Sequence, residues 1–135
     1  MVTNVEAGFL TMRVHNNTST DSSVVVSVTE TTLFSPGWAT FAGLNTFWSF
    51  LNTTNTTING TITLLDSNGT QVAALGVGIL PNRAVFPSTL TLGIAANMSG
   101  TARFTHDGPP GAVLAEAAIT NGTYFQRVRF EPRQR

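Results

Sequence analysis

Hydrophobic residues recur at every second position along most of the chain. Leu10, Met12 and Val14 alternate with Thr11, Arg13 and His15, and Val24, Val26 and Val28 repeat the pattern after a polar stretch at 16–23. A two-residue period is that of a strand with one covered face. With an Asn-rich turn between its two runs, the segment 1–35 reads as a hairpin. Ser35-Pro36-Gly37 is expected to end it, because Pro donates no ladder bond and Gly permits a turn. Residues 38–43 are then a linker. The stretch 45–75 reads as a three-stranded meander over 47–51, 61–65 and 71–75, turning at Asp66-Ser67-Asn68-Gly69. It is expected at the centre of one sheet. Further on, 76–81 suits a bulge or a crossing between sheets, 83–87 a short strand, and 90–100 at most one helical turn. Residues 101–105 and 112–120 are expected to pair as a hairpin around the rigid loop 106–111. The 112–120 run is apolar enough for burial on both faces. After the Asn121-Gly122 turn, 124–131 closes the chain.

About nine short strands with a turn signal every ten or so residues predict an all-β antiparallel β-sandwich, jelly-roll or immunoglobulin-like, with little or no helix. At 135 residues the chain suits one compact domain. Its expected parts are an N-terminal hairpin and linker over 1–45, open to exchange with a neighbouring subunit, and a main sandwich over 46–135.

Charge changes the picture most. Charged residues make up only 10% of the chain, all seven basic residues are Arg, and the formal net charge is zero. No general attraction to nucleic acid or anionic lipid follows from such a balance. The polar surface must be built from Thr, Asn and Ser, while 41% hydrophobic content argues for an ordered core. A neutral, Lys-free surface of that kind fits an extracellular, cell-surface or virion protein. No secretory signal is visible at the N-terminus, and no run approaches the roughly 18 to 20 apolar residues that a membrane-spanning helix needs, so membrane insertion is not expected. There is no Cys, so no disulfide contributes.

Candidate chemistry is sparse. His106-Asp107, with Glu116 and His15, is a grouping that could resemble a metal or acid–base site, but a zinc site needs three or four convergent ligands. Asp107 is expected to bond the turn backbone and His106 to face solvent. No Gly-x-Ser-x-Gly element is present. No catalytic residue, metal ligand or cofactor is expected. Glu116 interrupts an apolar strand and is either an edge charge or a buried carboxylate paired with Arg103 on the neighbouring strand, since an unpaired buried charge is costly. Trp38 and Trp48 are candidates for a ligand-stacking platform, with the reservation that consecutive Phe47 and Trp48 must face opposite sides. Acceptor triplets for N-glycosylation occur at Asn16, Asn17, Asn52, Asn55, Asn59, Asn68, Asn97 and Asn121, mostly in expected turns. Arg127, Arg129, Arg133 and Arg135 make a basic end, read as a solvated strand face and tail.

The run FLNTTNTTINGTITLLDSNGT, followed by GTARFTHDGPPGAVLAEA and a closing hairpin ending in RFEP, resembles sandwich domains of uncharacterised bacterial surface and secreted proteins. More distantly it is similar to the sensory-rhodopsin-transducer type of sandwich. The resemblance covers about two thirds of the chain and implies a non-enzymatic, assembling or ligand-binding role; no site residue carries over from it. The expected function is a structural domain that self-associates into an oligomer or filament or decorates a larger surface. The alternative is an extracellular module binding carbohydrate or another ligand. The expected partner is a second copy, or a glycan.

Overall fold

In a computed structural model, which describes residues 8–15, 21–28 and 31–133 and the side chains from Thr31 onward, the described residues form eleven strands. β1 (Gly8–His15) and β2 (Asp21–Val28) pair antiparallel in a sheet of their own. Their register sets Leu10 opposite Val26 and Met12 opposite Val24, so the apolar alternations of the two strands coincide.

The remaining nine strands are β3 (Thr32–Ala39), β4 (Asn45–Asn52), β5 (Ile58–Asp66), β6 (Gln71–Ile79), β7 (Ala84–Val85), β8 (Ser99–His106), β9 (Val113–Thr120), β10 (Phe125–Arg129) and β11 (Glu131–Pro132). They make two antiparallel sheets, one of five strands in the order β11-β3-β8-β5-β6 and one of four in the order β10-β9-β4-β7. The architecture is the expected all-β sandwich, and a single 3-10 turn at Phe41–Gly43 is the helical content among the described residues.

Inward positions of both sheets supply the core. Phe50 from β4 and Phe104 from β8 stack across it, with centroids 4.0 Å apart, and Phe130 meets Phe50 edge-on. Such offset and edge contacts add to simple area burial. Gly60, on β5, leaves room for this stack: a Cβ there would lie 2.3 Å from the Phe104 ring.

Three expectations about connectivity are corrected. Residues 32–39 are not the end of a hairpin followed by a linker but a strand inside the five-stranded sheet, paired with β8 and β11. Pro36 is tolerated because the register shifts between Ser35 and Trp38, a bulge at an edge that demands no N–H. A division of the chain at residue 45 therefore cuts off an integral strand. The 45–75 meander is also split: β4 belongs to one sheet and the β5–β6 hairpin to the other. Buried Asn52 organises that crossing. Its Nδ2 donates to the carbonyls of Thr56 (2.7 Å) and Ile79 (2.9 Å), and its Oδ1 accepts from the Thr54 N–H (2.8 Å) and hydroxyl (2.7 Å). Finally, β8 and β9 do not pair, and the 107–112 loop carries the chain between sheets. The closing strand likewise divides at Phe130, pairing first with β9 and then with β3 and sealing one side of the sandwich.

Candidate interaction surface

The residues expected to carry chemistry are dispersed by this topology. Trp38 and Trp48 are each 1% exposed, so neither offers a stacking face. The Trp38 indole N–H spans β8 to reach the carbonyls of Leu65 (3.1 Å) and Thr101 (3.0 Å), which makes it a structural brace. Phe47, next to Trp48, is 41% exposed on the opposite side, as strand alternation requires.

Arg103 and Glu116 do not pair. Arg103 is on an outward position of the five-stranded sheet, Glu116 on the outward side of the four-stranded one. Glu116 instead binds Arg127, on adjacent β10, at 2.5 Å. Of the two expectations for Glu116, the buried pair with Arg103 is not formed: its partner comes from the strand after the next turn, and both side chains stay largely exposed. The pair is diagonal across the ladder, since Arg127 stands opposite Ala118 and Arg129 opposite Glu116.

His106 is buried rather than solvated. Its Nδ1 accepts from the Gly108 N–H at 3.2 Å, while its Nε2 is buried with no partner among the described residues. Burial holds its pKa below the usual imidazole value, against a smaller upward pull from the Asp107 charge. Asp107 does not cap its own turn. It clamps β5, accepting from the Asn59 backbone N–H (2.8 Å) and side-chain amide (3.2 Å). Those two bonds are the main cause that holds its carboxyl below the ordinary range. Glu116 lies on the far sheet, and among the described residues no three His, Cys, Asp or Glu side chains come together. The His15 side chain lies outside what is described.

Of the acceptor triplets, Asn52 is fully buried and its amide is engaged at both ends, so it cannot carry a glycan in the folded protein. Asn55, Asn59, Asn68, Asn97 and Asn121 are exposed, and Asn16 and Asn17 lie outside the described residues. Asn59 and Asn121 use their side chains locally, on Asp107 and on the Thr123 and Tyr124 N–H groups.

The outer faces of the two sheets differ sharply. On the five-stranded sheet the outward positions carry Thr61, Thr63, Leu65, Thr101, Arg103 and Thr105, flanked by Ala74, Gly76 and Gly78 of β6 and by Pro36 of β3. Its one outward aromatic, Phe34, is half-buried, with the Arg133 guanidinium 5.3 Å over its ring. Threonine predominates on this face.

The four-stranded sheet is different. Its register lines up Arg127, Ala118 and Phe47 in one row, Arg129, Glu116 and Ser49 in the next, and Leu114, Leu51 and Ala84 in a third. The pairing of β4 continues past Leu51–Ala84 to Phe47–Ser88, which sets Phe86 opposite Ser49. Exposures of 41% for Phe47, 59% for Leu114, 62% for Phe125 and 70% for Phe86 show large side chains left open. Single exposed apolar residues need no explanation, but four large ones on one sheet face, interrupted by the Arg129, Glu116 and Ser49 row, are the pattern of a contact surface. The apolar character of 112–120 was legible in the sequence; that β4 lies beside it and adds Phe47 and Leu51 was not.

No protein-family model matches the chain, and no curated protein matches it. A crystal structure of a Thermotoga maritima protein, Thermotoga maritima 1070, is similar in fold, with a TM-score of 0.59 over 75% of this chain and 90% of that one. At 16% identity the similarity is one of fold alone.

Proposed function

We propose that this chain is a non-enzymatic structural domain that self-associates, in an oligomer or filament or on a cell or virion surface. The observation that carries the reading is the open apolar outer face of the four-stranded sheet, set against the threonine-lined face of its partner sheet. A chain that lines one face mostly with threonine and leaves Phe47, Phe86 and Leu114 bare on the other is built to have that face covered. Sparse charge supports the same reading, because copies with zero net charge repel each other little. An extracellular location fits the neutral Thr/Asn/Ser surface and the five exposed acceptor asparagines. The alternative of a sugar-stacking module loses both indoles to the core.

Sedimentation velocity of the full chain across a wide concentration range tests the proposal. Self-association predicts a dimer or larger species that dissociates on dilution. A strict monomer at every concentration overturns it.

A further inference from the structure

The turn that carries the chain from β8 towards β9 closes over a buried imidazole. Alternation along β8 puts Ala102, Phe104 and His106 on its inward side, so the last inward position of the strand holds a histidine in place of an apolar residue. The ring lies 6.1 Å from that of Phe104, and the residue is only 5% exposed. The chain then doubles back over it, and the Gly108 N–H donates to the ring Nδ1 at 3.2 Å. Gly108 comes this close because it has no side chain. A Cβ there would lie 2.6 Å from Ile58 Cδ1 and 3.4 Å from Nδ1 itself.

That bond decides where the proton sits. A ring nitrogen that accepts an N–H holds a lone pair, so the neutral ring carries its proton on Nε2. Nε2 is enclosed too, with no partner among the described residues. A second proton would put an N–H on Nδ1, aimed at the Gly108 N–H. Two donors would then face each other, and a positive charge would be confined beside Phe104 and Ile58. The closed turn and the imidazolium exclude each other.

Neighbouring charge does not relieve the conflict. β3 at Thr31 and Thr32, β5 at Ile58, Asn59 and Gly60, and β6 at Val77, Gly78 and Ile79 bring no ionisable side chain to this end of the core. Asp107 acts on the ring through its charge, but its pull is smaller than the effect of burial. Its carboxylate is already engaged by the Asn59 N–H and amide.

The crossing is free to open locally. The β8 ladder ends at His106, opposite Gly60, and the β9 ladder begins at Val113, opposite Asn52. Between them Pro109, Pro110 and Gly111 are exposed, so moving Gly108 off the ring breaks no strand pair.

We infer that His106 is an acid-operated latch: ionisation of its ring releases the Gly108 N–H and opens the 107–112 crossing while both sheets stay paired. The latch works within one subunit. It sits where residues 1–30 join the sandwich, since the His106 backbone N–H also donates to the Thr31 carbonyl. The closed turn holds the ring below its ordinary value of about 6.5, to which the open turn returns it. The latch is therefore shut above that pH, and the opening equilibrium gains about tenfold per pH unit below it, until the closed form itself titrates.

Amide NMR of the full-length protein from about pH 7.5 to about pH 5 tests this, with exchange expressed as protection relative to the unfolded chain. The expected result is that Gly108 protection falls by about tenfold per pH unit below about pH 6.5, as the His106 ring titrates, while the β4–β9 and β5–β8 ladders stay protected. His106→Asn offers Gly108 a side-chain acceptor without an ionisable ring, and should hold its protection constant over the same range. Unchanged Gly108 protection while the ring titrates in the parent overturns the latch. Loss of the ladders together with Gly108 also overturns it, because the whole fold then opens. So does an acid-dependent loss at Gly108 in folded His106→Asn, which would move the trigger to another group.

Discussion

Asn52→Ala probes the crossing that makes this chain a sandwich rather than a continuous meander. The side chain is fully buried, and its amide supports both the 53–57 connection and the end of β6. Truncation strips partners from the Ile79 carbonyl and the Thr54 N–H, while the exposed Thr56 carbonyl can turn to water. A buried polar group left unsatisfied costs about 1–3 kcal/mol. Two such groups, one of them fully enclosed, place the expected loss at about 3 kcal/mol. Asn55→Ala, three residues away and exposed, should stay within about 0.5 kcal/mol of the parent. Urea unfolding at fixed protein concentration, with the slope m compared between variants, measures both. If Asn52→Ala unfolds at the same midpoint as Asn55→Ala, the hub role assigned to Asn52 is wrong. A glycan found on Asn52 of the folded protein would refute it independently.

Four further outcomes follow from the packing. Gly100→Ala should be severely destabilising, because its Cβ would lie 1.8 Å from the Leu65 carbonyl oxygen, whereas Gly76→Ala meets nothing within 4 Å and should cost little; thermal melts of the two separate them. His106 titrates lower in the folded chain than in the unfolded one, so below about pH 6.5 the unfolded state binds the extra proton. Stability should be complete above that pH and fall as pH drops through the folded-state pKa, with His106→Gln losing this step in a pH series of urea midpoints. The Asp107 carboxyl, held low by Asn59, gives a second loss at more acidic pH, present above its ordinary pKa and removed as it protonates. In double-mutant cycles to Ala, Glu116 should couple to Arg127 by no more than about 1 kcal/mol, as exposed pairs do, and not to Arg103.

Strand content was largely legible in the sequence because each strand buries one face and so alternates in polarity. β5 and β8 show it: the inward members Ile62, Leu64, Ala102 and Phe104 stand two apart. Sheet membership was not legible. Alternation tells which side chains face inward but not which sheet they face inward from, so β4–β5 and β8–β9 read as hairpins when each pair straddles the core. β3 was missed because Pro36-Gly37 is the usual signature of a turn and here forms a bulge. The same blindness misplaced the partner of Glu116 and hid the outer face, whose members Phe47, Phe86 and Leu114 come from β4, the residue after β7, and β9, scattered along the chain. The tryptophans misled for a simpler reason: a large aromatic is as suited to a core as to a ligand platform, and only burial separates the two.

The central claim is that the outside of the four-stranded sheet is an interface between copies. Sedimentation velocity of full-length Leu114→Arg against full-length Thr63→Arg tests it most directly, because both side chains point outward from folded sheets, one from each face. The account predicts that Leu114→Arg sediments as a monomer with an unchanged far-ultraviolet spectrum, while Thr63→Arg associates like the parent. Retained association in folded Leu114→Arg, or its loss in Thr63→Arg alone, would contradict it.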